Sequence, residues 1–542
     1  MFNNRKIKKR ENVVRKEFFN RNGTHKDTVV LVALYNQHSF AIRTLHSVLV
    51  DKGQSVQSIF FKNRKINKCF DPPTGKEIDI LLQWIGERNP SLVGISVNST
   101  FFKLAAHITD RIKKEIGSTV VWGGAHPTVK PAHCLEHADI VCRGEGEGAI
   151  VDLLSALHGE VLMETIPNLW VKNNGTIVKN EVRPLLQDLD SLPLTDYLYK
   201  DMYYLDKGFV VSQKQNQKLR LEHAVTVMTS RGCHFECSYC NNSAFYKLYK
   251  DKGTIVRRRS VYNVIEELLR AKQAMKKLEC VFFIDDVFTF DHAWIREFCV
   301  QYKKHIDLPF WCYYQPQCSS EVLIPLLKNA GLVSVSIGIS HGSERIRKEY
   351  FNRHDTNREI IDAAQDLYRN NISCAYDIIF DNDLFENDGD RRNALEFLLQ
   401  LPRPFRLYFF NLIHFSGTQL TNRLLAEGTI AASDVEDKRC ELYKHRYKAM
   451  FSSRKDKEKM FWELMYYMCG NRFIPRKFIM WLHTQDYARK HLHLLSHIFH
   501  FFCPSDVGIE NDSKLDYARG TIMRILCGVF VARRKVLRYL SE

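Results

Sequence analysis

The stretch Thr229-Ser-Arg-Gly-Cys-His-Phe-Glu-Cys-Ser-Tyr-Cys240 decides the architecture of this chain. Its cysteines, Cys233, Cys237 and Cys240, are spaced C-x3-C-x2-C, so one short loop supplies three thiolates. Structural zinc sites and ordinary iron–sulfur sites close with four ligands. Three thiolates suit a four-iron, four-sulfur (4Fe-4S) cluster in which one iron has no protein ligand and can bind a cofactor or substrate. The alternative is a zinc site whose fourth ligand is His234 or a distant residue.

The cysteine loop follows the apolar run Ala224–Thr229, which predicts a buried strand, and the turn Arg231-Gly232. The loop therefore lies at the carboxyl end of a strand, where α/β proteins place their chemistry. Further strand-like runs alternate with helical ones and predict six βα units, which form a partial barrel open on one side. The six predicted strands are Ala224–Thr229, Cys280–Ile284, Pro309–Tyr314, Val333–Ile339, Ala375–Phe380 and Arg406–Leu412.

At these residues the chain resembles the radical S-adenosylmethionine (radical SAM) superfamily, in which an aromatic residue commonly precedes the third cysteine, as Tyr239 does here. The resemblance implies that the open iron chelates the methionine end of SAM and reduces it to a 5′-deoxyadenosyl radical. It also implies SAM contacts from Tyr239, Asp285, Asp286, Ser340 and Glu344. Asp285 or Asp286 would alternatively cap a helix, and Glu344 would alternatively stabilise a helix start.

The chain departs from the superfamily pattern in loops that shape the pocket. Ser340 and His341 replace the common Glu and Ser of Gly-Ile-Glu-Ser-Gly-Ser-Glu, and a hydroxyl at Ser340 can bond the ribose of SAM but carries no charge. Asp383 replaces the proline of Asp-Asn-Pro, and His414-Phe-Ser-Gly-Thr418 replaces Phe-Pro-Gly-Thr. The identity of the substrate is therefore not transferable from a relative.

An earlier α/β segment, residues 28–158, predicts a doubly wound, flavodoxin-like (Rossmann-like) parallel sheet with a ligand across the carboxyl ends of its strands. The predicted strands are Val29–Tyr35, Ser55–Phe61, Leu92–Val97, Thr119–Trp122 and Ala138–Cys142. Paired glycines at a strand end let a bulky ligand approach the backbone, because no Cβ stands in the way.

The strand ends of this segment resemble those of the cobalamin (B12)-binding domains fused to radical SAM enzymes. The resemblance implies that a serine strand and a Gly-Gly turn hold the dimethylbenzimidazole tail of the cofactor. The implied cobalamin contacts are Ser96, Ser99, Thr100, Gly123, Gly124, His126 and Glu145. His38 stands where other domains carry a cobalt-ligating histidine, but the Asp and Gly of that D-x-H-x-x-G motif are absent, which favours His38 as a loop residue near the corrin. The alternative is an ordinary flavodoxin-like module.

The pattern along the chain predicts five segments: a basic extension at 1–27, the B12-binding-like domain at 28–158, a linker rich in turns at 159–222, the radical SAM barrel at 223–430 and a helical region at 431–542. The last segment carries four histidines, which favour a helix mixing core and surface positions over a metal site. They are His491, His493, His497 and His500. Its basic, aromatic helices also suggest contact with a membrane surface.

The 542 residues carry a formal net charge of +16, concentrated near both ends of the chain. Such a charge attracts anionic partners, but no nucleic-acid-binding motif accompanies it, so no nucleic-acid function is expected. No run reaches the roughly 18–20 apolar residues that span a bilayer. Fifteen cysteines without a secretory signal favour free thiols in a reducing cytoplasm.

The resemblance implies a cobalamin-dependent radical SAM methyltransferase acting on an unactivated carbon of a small-molecule or lipid-like substrate. Methylcobalamin would deliver the methyl group after the adenosyl radical has removed a hydrogen, and a second SAM would restore it. A flavodoxin or ferredoxin is the expected electron donor. Two alternatives stay open: oxidative cyclisation or ring rearrangement without methyl transfer, and a non-catalytic cobalamin-binding regulator.

Overall fold

The computed structural model of the chain describes residues 28–62, 72–173, 175–212, 223–318, 322–380, 382–435 and 457–485. The extension predicted at 1–27 and the histidines at 491, 493, 497 and 500 lie outside these residues, so the predictions about them remain predictions.

The amino-terminal half is built on one nine-stranded sheet, in the order β7-β6-β5-β4-β3-β1-β2-β8-β9. Its six central strands, from β5 to β8, are parallel, and an antiparallel hairpin closes each edge. The strands are β1 (Thr28–Leu34), β2 (Ser55–Phe61), β3 (Leu92–Ser96), β4 (Thr119–Gly123), β5 (Ile140–Cys142), β6 (Leu169–Asn173), β7 (Thr176–Lys179), β8 (Met202–Asp206) and β9 (Phe209–Ser212). The predicted doubly wound sheet and its first five strands are confirmed.

Helices cover both faces of this sheet. They are α1 (Phe40–Asp51), α2 (Gly75–Gly86), α3 (Phe102–Glu115), α4 (Ala125–Val129), α5 (Pro131–Cys134) and α6 (Glu147–Leu157). Successive residues of β1 alternate between two cores, with Val30 and Val32 in one and Val29 and Leu31 in the other. A parallel strand buried on both faces reads as an unbroken apolar run, as β1 does.

The segment 159–222, predicted as a linker of turns, instead contributes β6, β7, β8 and β9 to the first sheet. These strands have four or five residues each, and the two outermost strands, β7 and β9, have no buried residue. Short, exposed edge strands show little apolar alternation, so the glycines and prolines between them dominate the sequence pattern.

The second half is a partial barrel of six parallel strands in the order β10-β13-β14-β15-β16-β17, with the short ladder β11–β12 beside it. The strands are β10 (Ala224–Val227), β11 (Ser230–Arg231), β12 (Arg257–Arg258), β13 (Cys280–Phe283), β14 (Phe310–Tyr313), β15 (Leu332–Ser340), β16 (Ser373–Phe380) and β17 (Arg406–Asn411). The accompanying helices are α7 (Asn242–Leu248), α8 (Val261–Ala274), α9 (His292–His305), α10 (Leu323–Ala330), α11 (Glu344–Glu349), α12 (Asn357–Arg369), α13 (Asp388–Leu398) and α14 (Gln419–Ala426). The predicted six-unit barrel is confirmed.

The described part of the carboxyl-terminal region packs onto the barrel. Helix α15 (Lys457–Cys469) buries Phe461, Trp462 and Tyr466 in the barrel core, and helix α16 (Arg476–His483) adds Ile479 and Leu482. The Tyr466 hydroxyl donates a hydrogen bond to the carbonyl of Arg391 at 2.9 Å. No helix within the described ranges has the length and apolarity needed to cross a membrane.

Candidate active site

The cysteine loop is held by a tight turn at Gly232. This glycine has φ +88°, and a Cβ here would lie 2.3 Å from the carbonyl oxygen of Ile255, so only glycine fits. The β11–β12 ladder fixes the chain immediately before it. Inside the loop, the Tyr246 hydroxyl donates hydrogen bonds to the carbonyls of Cys233 and Phe235, the latter at 3.2 Å. The loop is therefore supported before any cofactor binds.

The three thiols of the loop are half-buried and lie close enough to influence one another. Burial, together with the mutual repulsion of the sulfurs, raises the pKa of Cys233 to about 12 and that of Cys240 to about 11. A bound cationic centre supplies the charge that such thiolates need. Within the described ranges, no group of three or more His, Cys, Asp or Glu side chains is arranged so that it could hold a metal ion.

Asp285 supports this loop from below and does not face the barrel mouth. It is fully buried, and its Oδ1 accepts hydrogen bonds from the backbone N–H of Thr229 at 2.9 Å, the Thr229 hydroxyl at 2.8 Å and the Ser230 hydroxyl at 2.5 Å. Burial raises its pKa although these donors and Arg258 favour the ionised form. The geometry gives Asp285 a positioning role, and its contact with SAM remains a prediction.

Replacing Asp285 with alanine is expected to lower the free energy of unfolding by about 1–3 kcal/mol, because buried donors lose their acceptor. The amount of iron bound per chain after reconstitution should also be lower in this variant. Asp291→Ala is the matched control, since Asp291 caps α9 by accepting from the Trp294 N–H at 3.0 Å and, like Asp285, interacts with Arg258. Equal iron content in both variants would contradict the role given to Asp285.

The other predicted SAM residues divide into two groups. Asp286 is exposed at the barrel mouth, accepts a hydrogen bond from Asn242 at 3.2 Å, and adds to the pKa increase of Cys233 that burial causes. Its position stays compatible with a SAM contact. Glu344 is 52% exposed and accepts from the backbone N–H of Asn357 at 2.6 Å, which supports a structural role at a helix end. Neither Asp285 nor Asp286 caps a helix.

Ser340 is buried in a network that ties β15 to the cysteine loop. Its backbone is left-handed, with φ +60°, and its hydroxyl is 2.6 Å from the Tyr239 hydroxyl. Arg353 also donates to the Ser340 hydroxyl at 3.3 Å and pairs with Asp355 at 3.0 Å. Ser340 therefore helps to orient Tyr239, whose ring packs against Phe351 with 4.9 Å between the ring centroids. The SAM contacts of Ser340 and Tyr239 remain predictions.

His341, the second departure from the superfamily pattern, forms a buried pair with Glu386. The His341 Nε2 lies 2.9 Å from Oε1 of Glu386, and both side chains are at most 3% exposed. Arg347 donates to the His341 carbonyl at 2.5 Å. The pair fastens the end of β15 to the loop after β16. The sequence analysis missed Arg353 and Asp355, because nothing in their spacing marks them as partners. Glu386 matches the Glu that follows Asp-Asn-Pro in relatives, but its pairing with His341 was not predicted.

A cavity of about 370 Å³ lies between the carboxyl edge of the first sheet and the cysteine loop. Its walls are mostly apolar, from α1, α6 and the segment around Leu192. The polar and small residues that line it include Ser96, Gly123, Gly124, Glu145, Ser230 and Arg231. Ser230 and Arg231 lie just before Cys233 in the chain. Residues from both halves of the protein therefore line this one cavity, which we call the chamber.

The Gly-Gly turn after β4 is required by the backbone and also opens the cavity. Gly124 has φ +108°, and a Cβ there would lie 2.8 Å from the carbonyl oxygen of Val97. At Gly123 a Cβ would meet nothing closer than Cys142, at 4.0 Å, so the space beside it is available to a ligand. Glycine at 123 keeps the chamber open.

The structure does not place all predicted cobalamin residues in the chamber. Ser99 and His126 are buried and bonded to each other at 2.9 Å, and His126 packs against the ring of Phe102. Thr100 lies in the short 3-10 turn between β3 and α3. These three residues support the strand ends on the side of the sheet opposite the chamber. His38 is half-buried in the loop before α1, with its Nε2 3.0 Å from the Gln37 amide, as expected for a loop residue.

Glu145 joins the two halves of the protein. Its Oε1 accepts from Arg231 at 3.1 Å and from Arg257 at 2.8 Å, while Arg231 also donates to Glu147 at 2.6 Å. Burial raises the pKa of Glu145, but the two arginines outweigh it and hold that pKa below its usual range. Arg231 stands two residues before Cys233, so the pair connects the wall of the chamber to the cysteine loop.

Replacing Arg231 with methionine is expected to cost about 1–3 kcal/mol of stability, because Glu145 and Glu147 lose charge-assisted hydrogen bonds. Thermal unfolding measures the loss, and proteolysis should cut more readily between the two halves. Arg183→Met serves as control, since Arg183 pairs with Asp152 at 2.9 Å within the first domain. Indistinguishable proteolysis of the two variants would refute the connecting role of Arg231.

Two family profiles match the chain in the same order as the two halves. The B12 binding domain matches residues 26–154 and the radical SAM superfamily matches residues 227–398. An uncharacterized methyltransferase of Pyrococcus horikoshii is 29% identical over 332 residues, which cover 60% of this chain and 63% of that protein. The chain therefore spans less than two thirds of the length of this curated relative.

Solved structures show the same fold. TsrM of Kitasatospora setae, a radical SAM methyltransferase with cobalamin and a 4Fe-4S cluster bound, aligns with a TM-score of 0.58 at 18% identity over 74% of this chain and 78% of its own. The cobalamin-dependent SAM radical enzyme OxsB with aqua-cobalamin bound aligns with a TM-score of 0.61 at 16% identity over 98% of this chain and 85% of its own. The chain therefore carries a B12-binding domain and a radical SAM domain, and it resembles the cobalamin-dependent family of radical SAM enzymes.

The family implies three cofactors: a 4Fe-4S cluster, SAM and cobalamin. The residues present fit them. Three half-buried thiols without disulfide partners converge from one loop, and a glycine-walled apolar chamber opens beside them. Cys233, Cys237 and Cys240 would hold the cluster, while Ser96, Gly123 and Gly124 would border the cobalamin.

Proposed function

We propose that this protein is a cobalamin-dependent radical SAM methyltransferase acting on an unactivated carbon. The observation that carries the proposal is the shared chamber, because Gly123 and Gly124 on one side and Ser230 and Arg231 on the other line the same space. A methyl donor seated on the first sheet would thus face the site of radical formation. A carbon without acidity offers no proton to a base, so homolysis must supply the reactivity.

The protein itself contributes position and exclusion of water. When bound, the three cofactors supply bond homolysis and methyl transfer. Asp285 fixes the approach to the cysteine loop, the Ser340–Arg353 network orients Tyr239, and Asp286 presents a carboxylate at the barrel mouth. The apolar walls around Leu192 keep solvent from the space between the two halves.

Anaerobic reconstitution tests the proposal. The full chain is supplied with iron, sulfide and hydroxocobalamin, reduced, and incubated with SAM whose methyl group carries deuterium. Visible and electron-paramagnetic spectra should show both metallocofactors, 5′-deoxyadenosine and S-adenosylhomocysteine should form, and deuterated methylcobalamin should be detectable by mass spectrometry. If the reconstituted protein bound neither the 4Fe-4S cluster nor cobalamin, the proposal would be refuted.

Product mass separates the methyltransferase from its alternatives. A product heavier by one labelled methyl group supports methyl transfer, whereas a product formed without added carbon and without S-adenosylhomocysteine indicates cyclisation or rearrangement. Binding of cobalamin without release of 5′-deoxyadenosine indicates the other alternative, a non-catalytic cobalamin-binding regulator.

We propose a small molecule or a lipid-like compound as substrate, and a flavodoxin or ferredoxin as electron donor. A low-potential cluster with an open iron requires a reducing surrounding, which supports the cytoplasm as the place of action. Contact with a membrane surface is tested by flotation with vesicles containing anionic lipid, where absence of lipid-dependent flotation would dismiss it.

A further inference from the structure

The inner face of the barrel carries an acidic side chain that the proposed chemistry does not use. On β16, Tyr376, Ile378 and Phe380 belong to the core packed under the barrel helices. Because successive residues of a strand point to opposite faces, Asp377 points to the inner face, into the barrel. It is only half-buried, so the interior is open to solvent at this position.

The strand register identifies the neighbours of Asp377. Gly338 of β15 lies beside it on one side and Tyr408 of β17 on the other. Gly338 carries no side chain, and the nearest atom to a Cβ at this position would be a guanidinium nitrogen of Arg353, at 3.9 Å, while Arg353 itself pairs with Asp355. Gly338 also precedes Ser340 by two residues, so Asp377 lies just below the strand end that positions Tyr239. The carboxylate is therefore located between the barrel interior and the proposed SAM position.

This carboxylate has no cationic partner within the described residues. Its one hydrogen bond there comes from the Ser336 hydroxyl, 3.1 Å from Oδ1. Burial raises its pKa to about 6, and the only opposing contribution is that hydrogen bond. A partly desolvated carboxylate without a counter-charge is unfavourable.

Three other shielded carboxylates are neutralised by ion pairs, whereas the fully buried Asp285 accepts hydrogen bonds from neutral donors. The pairs are Glu77 with Lys62 at 2.8 Å, Asp355 with Arg353 at 3.0 Å, and Glu145 with Arg257 at 2.8 Å. Asp377 differs from these three pairs, and unlike the fully buried Asp285 it is only half-buried, so a ligand can reach it.

Aromatic side chains share the inner face with Asp377. On β14, Phe310 and Cys312 belong to the buried core, so Trp311 and Tyr313 point inward. Tyr313 is 38% exposed and lies beside Ser336 in the register. Aromatic faces attract cations, particularly where water is partly excluded.

We propose that Asp377 binds a positively charged nitrogen of the substrate, an ammonium or amidinium group, with Trp311, Tyr313 and Tyr408 as its aromatic surroundings. The inference rests on the proposed function in one respect, that the barrel interior is the substrate site. Within the proposed methyltransferase it assigns the substrate to the class of organic cations.

The test measures binding and needs no turnover. A panel of arylalkyl ammonium ions, each paired with its neutral isosteric alcohol, is screened against the reconstituted full-length protein by ligand-observed magnetic resonance. Ammonium members should bind, their alcohols should bind at least about tenfold more weakly, and Asp377→Asn should reduce ammonium affinity at least about tenfold. Asp362→Asn is the matched control, because Asp362 lies on α12 and pairs with Arg358 at 2.8 Å on the surface.

Each outcome decides the inference. Loss of ammonium binding in Asp377→Asn, with binding kept in Asp362→Asn, supports it. If no ammonium member binds, if alcohols bind as well as ammonium ions, or if both variants behave alike, the inference is overturned. Release of 5′-deoxyadenosine by the Asp377→Asn protein is measured in parallel, and its persistence leaves the proposed function intact whatever the binding result.

Discussion

Cys240→Ala should lower the release of 5′-deoxyadenosine on the order of 10³-fold or more, the largest effect expected of any single change, since catalytic groups that act as a unit fail together. Removing one of three thiolates from the loop leaves the cluster with too few ligands. Iron content per chain and the electron-paramagnetic signal of the reduced cluster measure the loss directly.

Cys318→Ala provides the comparison for Cys240→Ala. Cys318 is also a half-buried free thiol of the barrel half, but it lies outside the cysteine loop. This variant should keep full iron content and normal cleavage of SAM. If Cys240→Ala retained its cluster signal, or if both variants lost iron equally, the assignment of the loop as cluster ligand would be wrong.

Gly123→Leu is expected to weaken cobalamin binding by about 100-fold, or about 2.8 kcal/mol, while the cluster stays in place. The backbone at Gly123 needs no glycine, and the first atom of a side chain meets nothing nearer than 4.0 Å. The rest of a leucine would then fill the chamber. Equilibrium titration with hydroxocobalamin, followed in the visible spectrum, gives the affinity.

Two readouts keep the Gly123→Leu result interpretable. Release of 5′-deoxyadenosine should persist, because the cysteine loop is unchanged, whereas methyl transfer should stop. Gly75→Leu is the control, since Gly75 begins α2 and a Cβ there meets nothing within 4 Å. Unchanged cobalamin affinity in Gly123→Leu would show that the cofactor binds elsewhere.

The sequence was sufficient to predict the two-part architecture. Long apolar strands such as β1 and β15 are buried and show a clear pattern, and the spacing of Cys233, Cys237 and Cys240 places all three thiols on one loop without knowledge of distant contacts. Both are local features, so periodicity and spacing reveal them.

The contacts of the site were less predictable, because they join residues far apart in the chain. Glu145 and Arg231, for example, are separated by 86 positions. Ser340 was expected at the ribose of SAM, and nothing in the sequence indicated that its hydroxyl also contacts Tyr239 and Arg353. A single sequence shows which side chains are available for bonding and leaves their partners undetermined.

The hairpins at the sheet edges bear on how this protein can be divided for study. A fragment ending at residue 158 would lack β6 and β8, exposing the backbone edge of β5 and of residues 58–61 in β2. Unpaired edges of that kind promote self-association and aggregation. An independently folding cobalamin-binding module should therefore extend through Ser212, the end of β9.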